Sequence, residues 1–159
     1  MKGDGTMSKD ITITIDKQLV DKYNTYYFTQ HPKARKNPID KPIYPSINKW
    51  TILPRMSMNN LKQKWTEFGK WIIDDYGYKD LHIDKCDLEV VITFPTKTRR
   101  DIDNYCTKLI MDGFVKEGFL IDDSYFHIQS VIFRGKYEKG VEKMEFNFRD
   151  CVYNLQNMV

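Results

Sequence analysis

The sequence predicts an α/β fold of the α+β kind: one small domain, residues 1–159, built on a mixed β-sheet with helices packed mainly on one face. Three observations carry this. "ITITID" and "CDLEVVITFP" alternate apolar and polar residues with the period of half-buried strands. Two other stretches, beginning near Ser57 and Asp103, repeat apolar residues every three or four positions, as a helix does. The resulting order, β, α, β, α, β, β, suits strands that share one sheet under a layer of helices. A chain of 159 residues, 41% hydrophobic and 30% charged, is long enough to bury one core without disulfides.

Taken in order, residues 1–10 hold two glycines and no apolar period, and a flexible lead is expected there. Ile11, Ile13 and Ile15 then mark the first strand. Tyr23 to Pro54 contains Pro32, Pro38, Pro42, Pro45 and Pro54 among many polar residues, which predicts a long, basic, irregular excursion. From Ser57, the residues Leu61, Trp65, Phe68 and Ile72 form one stripe of a helix that stops before Gly77. Leu88, Val90, Ile92 and Phe94 line one face of a strand ended by Pro95. A second helix is expected from about Asp103 to Glu117, with Ile102, Cys106, Leu109 or Ile110, and Gly113 on its apolar stripe and a stop at Gly118. Its other face would carry Asp101, Tyr105, Lys108 and Asp112. A strand from Phe126 to Phe133, a turn with Gly135 and Gly140, and a strand on which Met144, Phe146 and Phe148 alternate with Glu145, Asn147 and Arg149 complete the chain.

No stretch approaches the roughly 18 to 20 consecutive apolar residues of a membrane span. The leading "MKGDGTMSKD" lacks the apolar segment of a secretory signal. A cytoplasmic protein without a membrane partner is therefore expected. Cys86, Cys106 and Cys151 are widely spaced, with no zinc or redox pattern, and read as reduced thiols. The histidines His31, His82 and His127 lack ligand spacing, and no phosphate-binding glycine loop or nucleophile elbow is present. A net charge of +3 permits a nucleic-acid partner without demanding one. The cations cluster as Lys33, Arg35, Lys36 and Lys41, as Lys62, Lys64 and Lys70, and as Lys97, Arg99 and Arg100.

Sixteen aspartates make one D-x-D and two D-D pairs unremarkable in number, so their placement has to carry the inference. Asp101 and Asp103 follow a strand and precede a helix. If the link is extended, their side chains point the same way. Asp122 and Asp123 precede the next strand, where the chain is expected to return beside the first strand's end and bring three or four carboxylates together. A hard cation such as Mg²⁺ is held by a few carboxylates with its remaining positions left to water and phosphate. Bound metal polarises a phosphoryl oxygen, and a nearby cation such as Lys108 stabilises the charge that develops. The competing reading is structural: Asp103 caps a helix, Asp101 pairs with Arg99 or Arg100, and Asp122–Asp123 decorate a turn.

The combination "RRDIDNY…K…DGFVKEGFLIDDS" resembles the signature of the RusA-like Holliday junction resolvases, small dimeric α/β endonucleases found largely in phages and prophages. "YPSINKW" is similar to that family's Pro-Ser-x-Asn segment, and together the two stretches extend the resemblance over roughly Pro45 to Arg149. The resemblance implies metal-binding aspartates at Asp101, Asp103 and Asp123, with Asp122 as flanking acid, a catalytic lysine at Lys108, and a basic residue at Arg100. Two departures stand out. Asp103 and Lys108 are five apart where four is commoner, which would turn Lys108 by about 100° on a helix. The segment before Pro45 is also longer than usual.

The function so implied is a metal-dependent endodeoxyribonuclease that uses Mg²⁺ or Mn²⁺ to resolve four-way junctions or other branched DNA. It would act as a two-fold homodimer making paired nicks. Lys97, Arg99 and Arg100 would contact backbone phosphates and carry little sequence information. Two alternatives accompany it: a module of the same fold that binds branched DNA without cutting, and a metal-dependent phosphohydrolase acting on a nucleotide.

Overall fold

A computed structural model describes residues 6–154 of the chain. Strand β1 (Thr6–Asp16) sends Ile11, Ile13 and Ile15 to one face, and all three are buried. Asp16, at its end, accepts the N–H of Leu19 at 2.9 Å and so caps helix α1 (Lys17–Gln30). Two expectations are corrected here. The lead expected to be flexible over 1–10 is strand from Thr6 onward, and residues 1–5 lie outside the described part.

The irregular excursion expected from Tyr23 to Pro54 is helix as far as Gln30. It begins at His31, just before the first proline, and contains the short helix α2 (Ile47–Thr51). Buried Val20, Tyr23 and Asn24 seat α1. The Asn24 amide holds the following loop by donating to the Ile39 carbonyl at 2.9 Å and accepting its N–H at 3.4 Å.

Helix α3 (Arg55–Tyr76) buries Trp65, Phe68 and Ile72, the stripe read from the sequence, and ends at Gly77, whose φ of 77° suits the left-handed turn. Strand β2 (Lys85–Phe94) buries Leu88, Val90 and Ile92. Helix α4 (Lys108–Lys116), strand β3 (Ile128–Tyr137) and strand β4 (Lys143–Asn154) follow. The strands lie in the order β1-β4-β2-β3, with β2 and β3 parallel and the other neighbours antiparallel. This is the mixed sheet expected, in a single α+β domain.

Helices cover one face of the sheet. Phe114 of α4 meets Phe146 at 5.5 Å between ring centroids, and Phe119 meets Phe148 at 4.9 Å. Helices α3 and α4 touch backbone to backbone at Gly69 and Gly113, where an added Cβ would strike the Ile110 and Thr66 carbonyl oxygens respectively. On the uncovered face Glu89 accepts hydrogen bonds from Arg134 Nε at 2.8 Å, Arg149 Nη2 at 2.9 Å and Asn147 Nδ2 at 3.1 Å.

The helix expected over Asp103–Glu117 is shorter. Ile102–Asn104 form a single 3₁₀ turn, Tyr105 returns to extended backbone, and α4 begins only at Lys108. The short polar side chain at Asn104 finds a partner outside the helix, which competes with continuing it. Gly135, expected in a turn, lies inside β3, and the reversal centres on Gly140 with φ 74°.

Candidate nucleic-acid and metal site

Beyond Phe94 the chain folds into a basic loop held by Arg100. Its guanidinium lies 4.6 Å from the Phe94 ring centroid, Nη1 donates to the Thr96 and Thr98 carbonyls at 3.1 and 3.0 Å, and Nη2 reaches Thr96 Oγ1 at 2.9 Å. A planar fork with several donors can close a loop in this way where a lysine cannot. Arg99 is 89% exposed, with Nη2 3.2 Å from Asp101 Oδ1. An exposed pair of this kind adds little stability and leaves both charges hydrated. Lys97 extends over the Tyr137 ring at 5.3 Å.

Asp101 and Asp103 are both exposed, on either side of Ile102, which lies over Gly135 of β3. The extended link that would aim both carboxylates the same way is replaced by the 3₁₀ turn. Asn104 Oδ1 accepts the Asn48 N–H at 3.0 Å, tying α2 to this loop. Ser46, which is buried, caps α2 by accepting the Lys49 N–H at 3.1 Å. The segment "YPSINKW" and the D-x-D loop thus become one wall of a cleft of about 660 Å³, lined by Ser46, Lys49, Arg99, Arg100, Asp101 and Asn104 among others. A more open hollow of about 990 Å³ holds Lys97, Asp103, Lys136 and Tyr137. Lys49, Asn104 and Lys136 were not singled out from sequence, although an asparagine directly after the D-x-D was a signal for the second of them.

Lys108 is the first residue of α4, 65% exposed, with Nζ 4.0 Å from Asp112 Oδ1. It does not share a helix with Asp101, so neither the common helix face nor the rotation of about 100° applies.

Asp122 and Asp123 lie at the other end of the sheet. The parallel register sets Ile128 beside Cys86 and Tyr137 beside Phe94, so the residues just before β3 stand by the start of β2. A parallel crossover must return the chain to the beginning of the first strand, which is why the convergence expected beside its end does not occur. The Asp123 backbone N–H, with help from Ser124 and His127, holds the Asp122 carboxyl below the usual carboxylate range. His127 Nδ1 stands 3.2 Å from Asp84 Oδ1 close by.

The D-x-D loop packs near Gly135, and the run from Ile128 to Gly135 alone spans roughly 23 Å at about 3.3 Å per residue. Among the described residues no three His, Cys, Asp or Glu side chains are gathered as a metal shell. These four carboxylates form two separate pairs, and together they do not fit a single cation site. Of the structural alternatives, the Arg99–Asp101 pair is present, and Asp122–Asp123 lie in irregular backbone just ahead of the turn over 125–127. Asp103 sits inside the 3₁₀ turn rather than capping a helix.

No protein-family model matches the chain, and no curated protein matches it. No helix among the described residues is long and apolar enough to cross a membrane.

Proposed function

We propose that the protein is an endodeoxyribonuclease acting on branched DNA, with four-way junctions as the preferred substrate class and Mg²⁺ or Mn²⁺ as cofactor. The observation that supports it best is the hydrogen bond from Asn48 to Asn104 at 3.0 Å. It joins two segments far apart in sequence, the Pro-Ser-x-Asn helix and the D-x-D loop, into one cleft edged by Lys49, Arg99 and Arg100. Cations around exposed carboxylates suit a phosphodiester: the cations draw in the backbone, while Asp101 and Asp103 face the phosphate as candidate metal ligands.

In this reading Arg99, Lys97, Lys136 and Lys49 grip phosphates on both sides of the loop, and Arg100 keeps the loop in shape. Lys108, the remaining cation of the resemblance, stands largely exposed at the start of α4 with Asp112 as its neighbour. A two-fold homodimer would deliver two symmetric nicks to one junction.

The test is a labelled four-way junction incubated with Mg²⁺. Wild type should nick it, whereas Asp101→Asn should lose nicking and retain or tighten binding, since one negative charge facing phosphate is gone. Full activity in Asp101→Asn would end the proposal. The separation of Asp122–Asp123 from Asp101–Asp103 favours one second reading, a module of the same fold that binds branched DNA without cutting. It predicts a shifted band that is unchanged by Mg²⁺ and no product.

A further inference from the structure

The loop between α1 and α2 carries charge that the fold does not use. Residues 31–41 set Lys33, Arg35, Lys36 and Lys41 against the single carboxylate of Asp40, a net charge of +3. That equals the net charge of the whole chain, so the remaining residues balance to zero. All four cations are exposed, and among the described residues none of them enters an ion pair. Like charges crowded on one loop repel each other until something outside the chain neutralises them.

The loop is nonetheless held in place. The His31 N–H donates to the Tyr27 carbonyl at 2.9 Å, and the two rings stack at 4.2 Å. Ala34 N–H donates to the His31 carbonyl at 3.0 Å, and the Asn24 amide holds both the carbonyl and the N–H of Ile39. Pro38, Ile39 and Pro42 are buried, so the apolar residues turn inward and the cations are left on the outside.

Its place in the fold says what it meets. Ile39, Asp40 and Lys41 line the cleft of about 660 Å³ together with Arg99, Arg100 and Asp101, whereas Lys33, Arg35 and Lys36 lie outside that lining and continue the basic strip beyond it. A protein partner suits such a strip poorly. Protein interfaces are enriched in aromatic residues and depleted of lysine, and among the described residues no large hydrophobic side chain between 27 and 51 is exposed. A single strand suits it less than a duplex, because no aromatic residue interleaves the cations over 32–41 to stack a base. Duplex DNA carries one charge per about 1.7 Å of axis, dense enough for each cation to find a phosphate.

We infer that residues 31–41 form a second phosphate-binding strip, which grips the backbone of one duplex arm as it leaves the cleft, with Lys41 in the cleft and Lys33, Arg35 and Lys36 along the arm. That the duplex is an arm of branched DNA rests on the nuclease reading. The strip fixes where the arm lies and carries no sequence information. It belongs to the segment before Pro45, outside the stretch that resembles the resolvases, so the grip is this chain's own addition.

Salt dependence tests it. Binding is titrated without Mg²⁺ on two four-way junctions, one with arms of about two helical turns and one whose hairpin-capped arms are cut below about one turn. On the long-armed junction, the triple variant Lys33→Ala, Arg35→Ala, Lys36→Ala should bind more weakly than wild type. Its log–log salt slope should fall by about 2.7, at about 0.9 for each lost phosphate contact. On the short-armed junction variant and wild type should match, and Lys33→Arg with Lys36→Arg should keep the wild-type slope on both. The three side chains are exposed, so the triple variant should melt as wild type does. An unchanged slope on the long arms, with wild type nicking once Mg²⁺ is added, overturns the inference and leaves the nuclease reading standing. An equal fall on both junctions overturns it as well, because the loop then touches the crossover instead of an arm. A slope that falls as expected in a protein that never nicks removes the nuclease reading and keeps the strip.

Discussion

The backbone N–H of Asn48 donates to Asn104 Oδ1 across 3.0 Å, so the short helix after the proline-rich loop is moored to the turn that presents Asp101 and Asp103. The bond is exposed, and its worth to global stability is about 0.5–1 kcal/mol. Its larger effect is on the cleft, because it joins the two segments that make one of its walls. Asn104→Ala should therefore weaken binding of a four-way junction about fivefold, in proportion to roughly 1 kcal/mol, while the melting temperature stays within about 4 °C of wild type. Binding measured by titration and melting followed by circular dichroism check both halves. An unchanged affinity would show that α2 is not part of the binding surface.

Gly113 makes a different kind of contact, because its missing side chain lets α4 lie against α3 at Thr66 and Gly69. Thr66 Oγ1 reinforces the crossing by donating to the Leu109 carbonyl at 3.2 Å. Gly113→Ala must push backbone aside and should cost about 1–3 kcal/mol, as overpacking of a close-packed interior does. For a chain of this size that lowers the melting temperature by about 3–10 °C. Gly77 is the control. An added Cβ there meets nothing, and only its φ of 77° is at stake. Gly77→Asn should stay close to wild type, since asparagine tolerates the left-handed region.

Much of the fold could be read from period alone. The buried stripe of α3 and the alternating faces of β1, β2 and β4 appear where Trp65, Phe68, Ile13, Val90 and Phe146 placed them. Helix α1 was hidden because the prolines after Gln30 coloured the whole segment, although Asp16 three residues before Leu19 was a cap signal of the ordinary kind. The start of α4 was misread for the opposite reason. Ile102, Cys106 and Leu109 keep helical spacing across a stretch that is not helix, and period cannot see that Asn104 bonds elsewhere. The separation of Asp123 from Asp101 was legible in principle, since a strand, a helix and a second strand imply a parallel return to the first strand's start. What no pattern within the chain announces is the place of β3 at the edge of the sheet, because strand order depends on contacts between segments far apart.

On the uncovered face, Arg149, Arg134 and Asn147 hold the Glu89 carboxyl at about 2, against an ordinary value of 4.5. A carboxylate depressed in the folded state stabilises the fold fully above its unfolded value and loses that contribution as pH falls toward the folded one. The window is therefore pH 4.5 down to about 2. Glu89→Gln should be less stable than wild type at neutral pH, and the difference should shrink steadily through this window as wild type loses its charge. Urea unfolding at several pH values measures the gap directly. A gap that stays constant down to pH 2.5 would show that the arginines gain nothing from the charge of Glu89.

Arg99 and Arg100 are neighbours with different work. Arg100 spends its donors on Thr96 and Thr98 and stacks on Phe94, whereas Arg99 reaches solvent beside Asp101. Each phosphate contact releases counterions and steepens the dependence of affinity on salt, by about 0.9 in the log–log slope for duplex DNA. Arg99→Ala should thus lower that slope by about one unit and leave melting unchanged. Arg100→Lys keeps the charge but cannot reproduce the fork or the stacking. It should leave the salt slope near wild type while the loop loosens, seen as faster proteolysis or amide exchange over residues 96–104 and weaker binding at every salt concentration. If the two variants instead change the slope equally and neither loosens the loop, both arginines are simple phosphate contacts, and the basic loop owes its shape to something other than Arg100.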